Sequence, residues 1–249
     1  MTQDTRTAIV VGVGAAEGLG GALCARFARE GLHVFPAGRT AERLEALTQA
    51  IRAAGGQATP VVTDTTCEAD VVRLFDEAAR LGGPPEIVVY NAGNNAIMPL
   101  AEMSVEFFEK VWRVACFGGF LVGREATRRM GPAGRGTVIF TGATASVRSR
   151  PPFVAFASAK AGLRAIAQGM ARELGPQGVH VAHVIIDGGI AGERLRTGLP
   201  GFVAAKGADG LLDLDAIADT YWHLHTQPPT AWSHEVDLRP YKEPFSPRR

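Results

Sequence analysis

Residues 12–20 read Gly12-Val13-Gly14-Ala15-Ala16-Glu17-Gly18-Leu19-Gly20, the stretch that decides the fold. It ends an apolar run at 7–13, read as a buried strand, and enters a helical pattern at 19–30 with Leu23, Phe27 and Ala28 on one face. Gly14, Gly18 and Gly20 form G-x-x-x-G-x-G at a strand-to-helix junction. Glycine permits a tight turn and close approach of a ligand to the backbone, and amides at a helix N-terminus face a phosphate. Gly14, Gly18, Leu19 and Gly20 are therefore candidate dinucleotide-binding residues. The plainer reading is a glycine turn that only joins strand to helix.

Outward from this junction, short apolar runs alternate with longer helical patterns. Strands are expected at 33–37, 58–62, 86–90, 137–140 and 179–186, with a shorter one at 235–238. Helices are expected at 41–54, 68–81, 153–174 and 213–225, and from Ser104, as N-cap, towards Met130. Residues 188–210 carry many glycines and little periodicity, and read as a mobile substrate-side loop. Strands alternating with helices imply a parallel sheet covered on both faces. The expectation is an α/β, doubly wound Rossmann-type domain spanning residues 1–249, without linker or repeat.

Composition narrows the function classes. The 249 residues are 46% hydrophobic and 20% charged, which suits a globular chain with a sizeable core. Lys+Arg number 26 against 25 Asp+Glu, giving +1, so charge supplies no reason to bind nucleic acid or an anionic membrane. No apolar run approaches the roughly 20 residues that span a bilayer. The polar start, Met1 to Arg6, shows no signal-peptide pattern. Cys24, Cys67 and Cys116 are scattered and odd in number, which fits a reducing, cytoplasmic compartment, and Cys24 and Cys116 read as small core residues. The six histidines form no metal pattern: His180 and His183 point to opposite sides of a strand, and His223 and His225 are not neighbours on a helix face. His33 reads as a strand-start residue.

The end of the second strand bears on cofactor choice. A site selective for NAD usually places an acid there, against the ribose hydroxyls. Here the stretch is Val34-Phe35-Pro36-Ala37-Gly38-Arg39, without a carboxylate. The Arg39 guanidinium suits a 2′-phosphate, favouring NADP, with NAD as the second choice; the competing reading is a solvated arginine at a helix start.

The glycine pattern, Asp64 after the third strand, Asn91-Ala92-Gly93 after the fourth and Lys160 in a later helix occur in the order of the short-chain dehydrogenase/reductase family, which the chain resembles over nearly its whole length. The resemblance implies a seven-stranded sheet of order 3-2-1-4-5-6-7. It implies that Asp64, with Thr65 beside it, contacts adenine, that Asn91, Ala92 and Gly93 lie along the cofactor, and that Lys160 holds the nicotinamide ribose. It also implies a small-molecule substrate, and a homodimer or homotetramer formed through the long fourth and fifth helices. Trp222, Trp232 and the tail at 240–245 are expected to cover a neighbouring subunit or to seal this one.

The family's proton relay uses a tyrosine four residues before the lysine, a serine thirteen before the tyrosine, and an asparagine in the long fourth helix. Those positions hold Phe156, Ala143 and Ala115, and only Lys160 is retained. Thr144 is the nearest hydroxyl to the lost serine. After the sixth strand the family's Pro-Gly becomes Asp187-Gly188, which brings a carboxylate to the border of the nicotinamide pocket; a turn-capping aspartate is the alternative. Arg148, Arg150, Arg194 and Arg196 read as solvated arginines, or as a mouth for an anionic substrate. Two functions follow. One is an NADP-dependent oxidoreductase acting on a small carbonyl or alcohol through an altered relay, with water held by Thr144 or Lys160 as proton source. The other is a catalytically silent NADP(H) sensor or structural subunit.

Overall fold

A computed structural model describes residues 5–93 and 95–243. Eight strands form one parallel sheet: β1 (Thr7–Val11), β2 (His33–Gly38), β3 (Gln57–Ala58), β4 (Val61–Val62), β5 (Ile87–Tyr90), β6 (Thr137–Thr141), β7 (His180–Ile186) and β8 (Glu235–Leu238). Their order is β3-β2-β1-β5-β6-β7-β8, with β4 also paired to β2. This is the expected order with one strand split. The run at 58–62 breaks around Pro60, whose missing N–H interrupts the ladder, so β3 and β4 pair separately with opposite ends of β2.

Helices cover both faces. Helices α1 (Leu19–Arg29), α2 (Ala41–Ala53) and, near the C-terminus, α9 (Leu214–Thr226) pack on one side, where Leu23, Phe27, Leu44 and Tyr221 are buried with Val10, Val34 and Val184. On the other side α3 (Glu68–Gly82), α5 (Gly118–Ala133) and α6 (Val154–Leu174) bury Phe75, Val122 and Leu163 against Val11, Val88 and Phe140. Alternate residues of each strand serve opposite layers, so the strands are apolar almost throughout.

Two expected elements differ. The long fourth helix is interrupted: α4 (Val105–Trp112), capped by Ser104, which accepts from the Phe107 amide at 3.2 Å, meets α5 through a π turn at Arg113–Phe117. The Tyr90 hydroxyl donates to the Val114 carbonyl within that turn, a partner that regular helical spacing would have occupied. The stretch read as a loop, 188–210, carries two short helices, α7 (Glu193–Gly198) and α8 (Pro200–Lys206). They are too short to leave a helical period in the sequence; the Glu193 amide ties α7 to the Glu17 carbonyl at 2.7 Å, and tail contacts hold the end of α8. Lys206 Nζ pairs with Glu243 Oε2 at 2.5 Å, and Lys242 donates to the Ala208 carbonyl.

Within residues 240–243 the tail thus packs on its own chain, while 244–245, like the first four residues, lie outside the described residues. Trp222 packs against Phe27 and His225, and Trp232 stacks on His180 with centroids 4.8 Å apart. Among the described residues no helix is long and apolar enough to cross a membrane.

Candidate functional site

The carboxyl ends of the strands gather the candidate residues, as expected for an open parallel sheet. At the end of β1 the chain turns through Gly12, with φ +87°, and the Gly12 and Val13 amides both donate to the Ala37 carbonyl. A Cβ on Gly12 would lie 2.4 Å from the Ala92 amide nitrogen, so the turn and the Asn91–Ala92 backbone are packed back to back. Asn91 Nδ2 reaches the Gly12 carbonyl at 3.4 Å.

The three motif glycines have separate duties. A Cβ on Gly20 would meet the Val13 backbone at 3.0 Å, so this glycine lets α1 pack closely on the turn. On Gly18 it would lie 3.1 Å from the Ala15 carbonyl. Gly14 is exposed, and a Cβ there would enter open space. The Leu19 side chain is buried in the core, so only its backbone at the start of α1 can face a ligand. Among the described residues no protein atom lies within 4 Å of a Cβ at Gly14, so its backbone is open to solvent. Arg39 is exposed at the end of β2, just before α2.

Asp64 and Thr65 behave differently from one another. Asp64 Oδ1 accepts from the Thr66 amide at 2.9 Å and from the Thr66 hydroxyl at 2.8 Å, closing a local turn at the rim. The Thr65 side chain is buried, so only the backbone of this residue is open to a ligand. A Cβ on Gly118 would lie 2.8 Å from its hydroxyl oxygen and 2.5 Å from that of Tyr90, so the Thr65 side chain packs against the start of α5.

Lys160 lies at the centre. It is 4% exposed, and Nζ donates to the Thr141 carbonyl at 2.7 Å, the last residue of β6. Gly93, with φ +143°, leaves room for it: a Cβ there would lie 3.3 Å from Lys160 Nζ and 3.5 Å from the Ala115 methyl. Asn91–Gly93, the π turn and α6 therefore converge on one ammonium. Burial pulls its pKa down from the usual 10.5 to about 8, partly offset by Cys116. Phe156 is one helical turn earlier, 8% exposed, with Lys160 Nζ 5.8 Å from its ring centroid. Ala115 is buried in the π turn, and Ala143 is half-buried at the start of the turn after β6. Phe156 thus lies beside Lys160, Ala115 and Lys160 both lie against Gly93, and Ala143 is two residues past Thr141, the residue that Lys160 bonds.

Two groups were less legible. The Thr144 hydroxyl donates to Asp187 Oδ1, while Arg239 donates to Oδ2 and Arg148 Nη2 lies 3.6 Å from Oδ1. Asp187 is thus a bridging carboxylate between β6, β7 and the tail, and Arg239 carries no sequence signal for that role. Gly188 sits under Pro240, whose Cδ would lie 2.9 Å from a Cβ at that position. Of the remaining loop arginines, Arg150 lies over Phe153 and Arg196 is 3.9 Å from Glu17. Among the described residues no three His, Cys, Asp or Glu side chains are grouped to hold a metal.

A parallel, doubly wound sheet with a glycine turn at its first crossover defines a nucleotide-binding α/β protein. The sequence pattern of the short chain dehydrogenase family matches residues 7–195, and the chain belongs to that family. The crystal structure of a short-chain dehydrogenase from Rhodopseudomonas palustris superimposes with a TM-score of 0.81 at 38% identity, covering 96% of this chain and 100% of that one. The short-chain dehydrogenase/reductase eriH of Hericium erinaceus is 33% identical over 176 residues, 69% of this chain and 70% of that protein. At 21% identity, the actinorhodin polyketide ketoreductase, solved with NADPH, shares the fold with a TM-score of 0.85, over 96% of this chain and 97% of that one.

Proposed function

We propose that the protein is an NADP-dependent oxidoreductase interconverting a small carbonyl compound and its alcohol, with Lys160 as the proton-exchanging group. The observation that carries this reading is the buried Lys160 ammonium, its pKa drawn down to about 8, beside a phenylalanine that has no proton to give. Gly14, Gly18, Gly20 and the backbone of Leu19 would cradle the pyrophosphate of the cofactor, and Arg39 its 2′-phosphate. Asp64 would meet the adenine, and Asn91, Ala92 and Gly93 would line the path to the nicotinamide, which supplies or takes the hydride. Gly188 would border that ring.

Lys160 Nζ passes its proton to the substrate oxygen, directly or through one water, and near pH 8 it holds both protonation states in useful amounts. Phe156, Ala143 and Ala115 keep the surroundings apolar, which preserves the lowered pKa. The exposed apolar residues Val105, Phe108, Trp112 and Phe120 on α4 and α5 would cover one another in a homo-oligomer. One domain working in the cytoplasm completes the reading. The test is a screen of carbonyl compounds for NADPH oxidation by the purified protein. Turnover with any of them supports the reading, and tight NADPH binding without turnover favours a silent binding protein.

A further inference from the structure

Helix α7 lies against the glycine turn that follows β1. The Glu193 amide donates to the Glu17 carbonyl at 2.7 Å. A Cβ on Gly192 would sit 3.0 Å from that carbonyl and 3.5 Å from Gly18 Cα, so the two backbones approach where a side chain would hold them apart. The segment is anchored from behind as well. The Ala191 amide donates to the Leu212 carbonyl, and the Leu212 amide to the Gly189 carbonyl, each at 2.8 Å. What α7 carries to the turn is Arg196, whose Nη1 lies 3.9 Å from Glu17 Oε2 with both side chains exposed.

Stability does not account for this charge pair. An exposed pair at that distance contributes little, and the Glu193 amide already ties α7 to the turn. Glu17 is also an unexpected side chain for a phosphate cradle. Its carboxylate stands one residue before Gly18 and has the same sign as any phosphate received there. Arg196 is the opposite charge that the fold brings to the same rim, and a guanidinium matches phosphate oxygens through paired hydrogen bonds. Resting on the cofactor reading above, we infer that Arg196 is a phosphate-binding residue of the dinucleotide site, its guanidinium held at the rim by Glu17 until a phosphate takes it over. Its target is the pyrophosphate, since Arg39 is assigned the 2′-phosphate. Arg196 therefore sets affinity for NADPH and NADH alike, and Arg39 sets the choice between them.

The experiment is calorimetric titration of the full chain and its variants with NADPH and with NADH. Arg196→Ala should weaken both by the same factor, about fivefold or more, and Arg196→Lys should keep part of the affinity as a point charge. Glu17→Gln should strengthen both, because it removes a like charge and the competing partner of Arg196. Raised salt should narrow these differences, since both side chains are exposed. Melting temperatures should not move, for the same reason. The double variant separates direct contact from shielding: loss of Arg196 should still weaken binding when residue 17 is glutamine. Unchanged affinity in Arg196→Ala, or a loss that vanishes in the Glu17→Gln background, would overturn the inference. So would a loss confined to NADPH, which would put Arg196 at the 2′-phosphate. Binding of neither dinucleotide by the unmodified protein would refute the cofactor reading and this inference together. The other outcomes bear on Arg196 alone, because no turnover is read.

Discussion

The Lys160 ammonium stands 5.8 Å from the centroid of the Phe156 ring and donates to the Thr141 carbonyl at 2.7 Å, so the cation faces an aromatic face on one side and the end of the central sheet on another. A ring quadrupole attracts a cation but cannot relay its proton. The geometry that would depress a tyrosine pKa is intact, and the group it would act on is missing.

Restoring that group is expected to help. Phe156→Tyr with Ala143→Ser supplies a phenol one turn from Lys160 and a hydroxyl at the start of the turn after β6. General acid catalysis contributes about a hundred- to ten-thousand-fold, so a gain of at least about tenfold in carbonyl reduction is expected. NADPH affinity should hold, since neither residue is assigned to the phosphates. A loss of rate on introducing the tyrosine would point to chemistry that needs the apolar ring.

The glycines separate binding from folding. Gly14→Val should leave the melting temperature nearly unchanged, because a Cβ there meets no protein atom, yet it should abolish NADPH binding by filling the cradle. Gly12→Val should damage folding itself, since its φ is +87° and a Cβ would run into the Ala92 backbone. Calorimetry with and without NADPH distinguishes the two. Unaltered binding in Gly14→Val would make the turn merely structural.

Cofactor choice should follow Arg39. NADPH is expected to bind more tightly than NADH by about tenfold or more, about 1.4 kcal/mol. Arg39→Ala should erase most of the difference and leave NADH binding little changed. Equal affinities in the unmodified protein would refute the assignment.

Acid should destabilise the fold before it touches the site. His225 is held neutral by burial, with its pKa pushed down to about 4 although Glu86 opposes the shift, and its Nδ1 is 3.0 Å from the Thr137 hydroxyl. His183, fully buried with Nδ1 2.9 Å from Glu235, is likewise pushed down to about 4. Between pH 4 and the ordinary histidine value the unfolded chain binds more protons than the folded one. The stabilisation is complete above about pH 6.5 and lost as pH falls towards 4, on the order of 3 kcal/mol for each histidine. Melting temperature should therefore drop between about pH 7 and 5, less steeply in His225→Gln. A flat profile would contradict this.

Much of the molecule was legible because its signals are local. The glycine turn, the Ser104 cap and the alternation of apolar runs with helical periods each occupy one stretch of chain, and the sheet order was implied by the family resemblance that the motifs carry. The resemblance to the family's serine, tyrosine and lysine pattern singled out Ala143, Phe156 and Lys160, and Phe156 lies beside Lys160 in the fold. What escaped depends on tertiary contact. Helix α7 is tied to Glu17 and α8 to the tail residue Glu243, and the Thr65 side chain is enclosed by Tyr90 and Gly118. Asp187 and Arg239 are separated by 52 residues and become partners only because β7 and β8 pair side by side. The π turn at Arg113–Phe117 leaves the apolar periodicity of the fourth helix nearly unaltered, so nothing in the pattern announces it.

The most direct test is the pH dependence of kcat for NADPH-driven carbonyl reduction, measured for the unmodified protein and for Lys160→Arg. A protonated Lys160 is the active form in this direction, so kcat should be level below about pH 8 and fall about tenfold per unit above it. Oxidation of the alcohol should show the mirror image, rising to a plateau above the same pH. Arginine stays charged across the whole range, so Lys160→Arg should lose most of the activity and all of this titration. A profile without a step near pH 8, or one that survives intact in Lys160→Arg, would contradict the assignment of Lys160 as the proton-exchanging group.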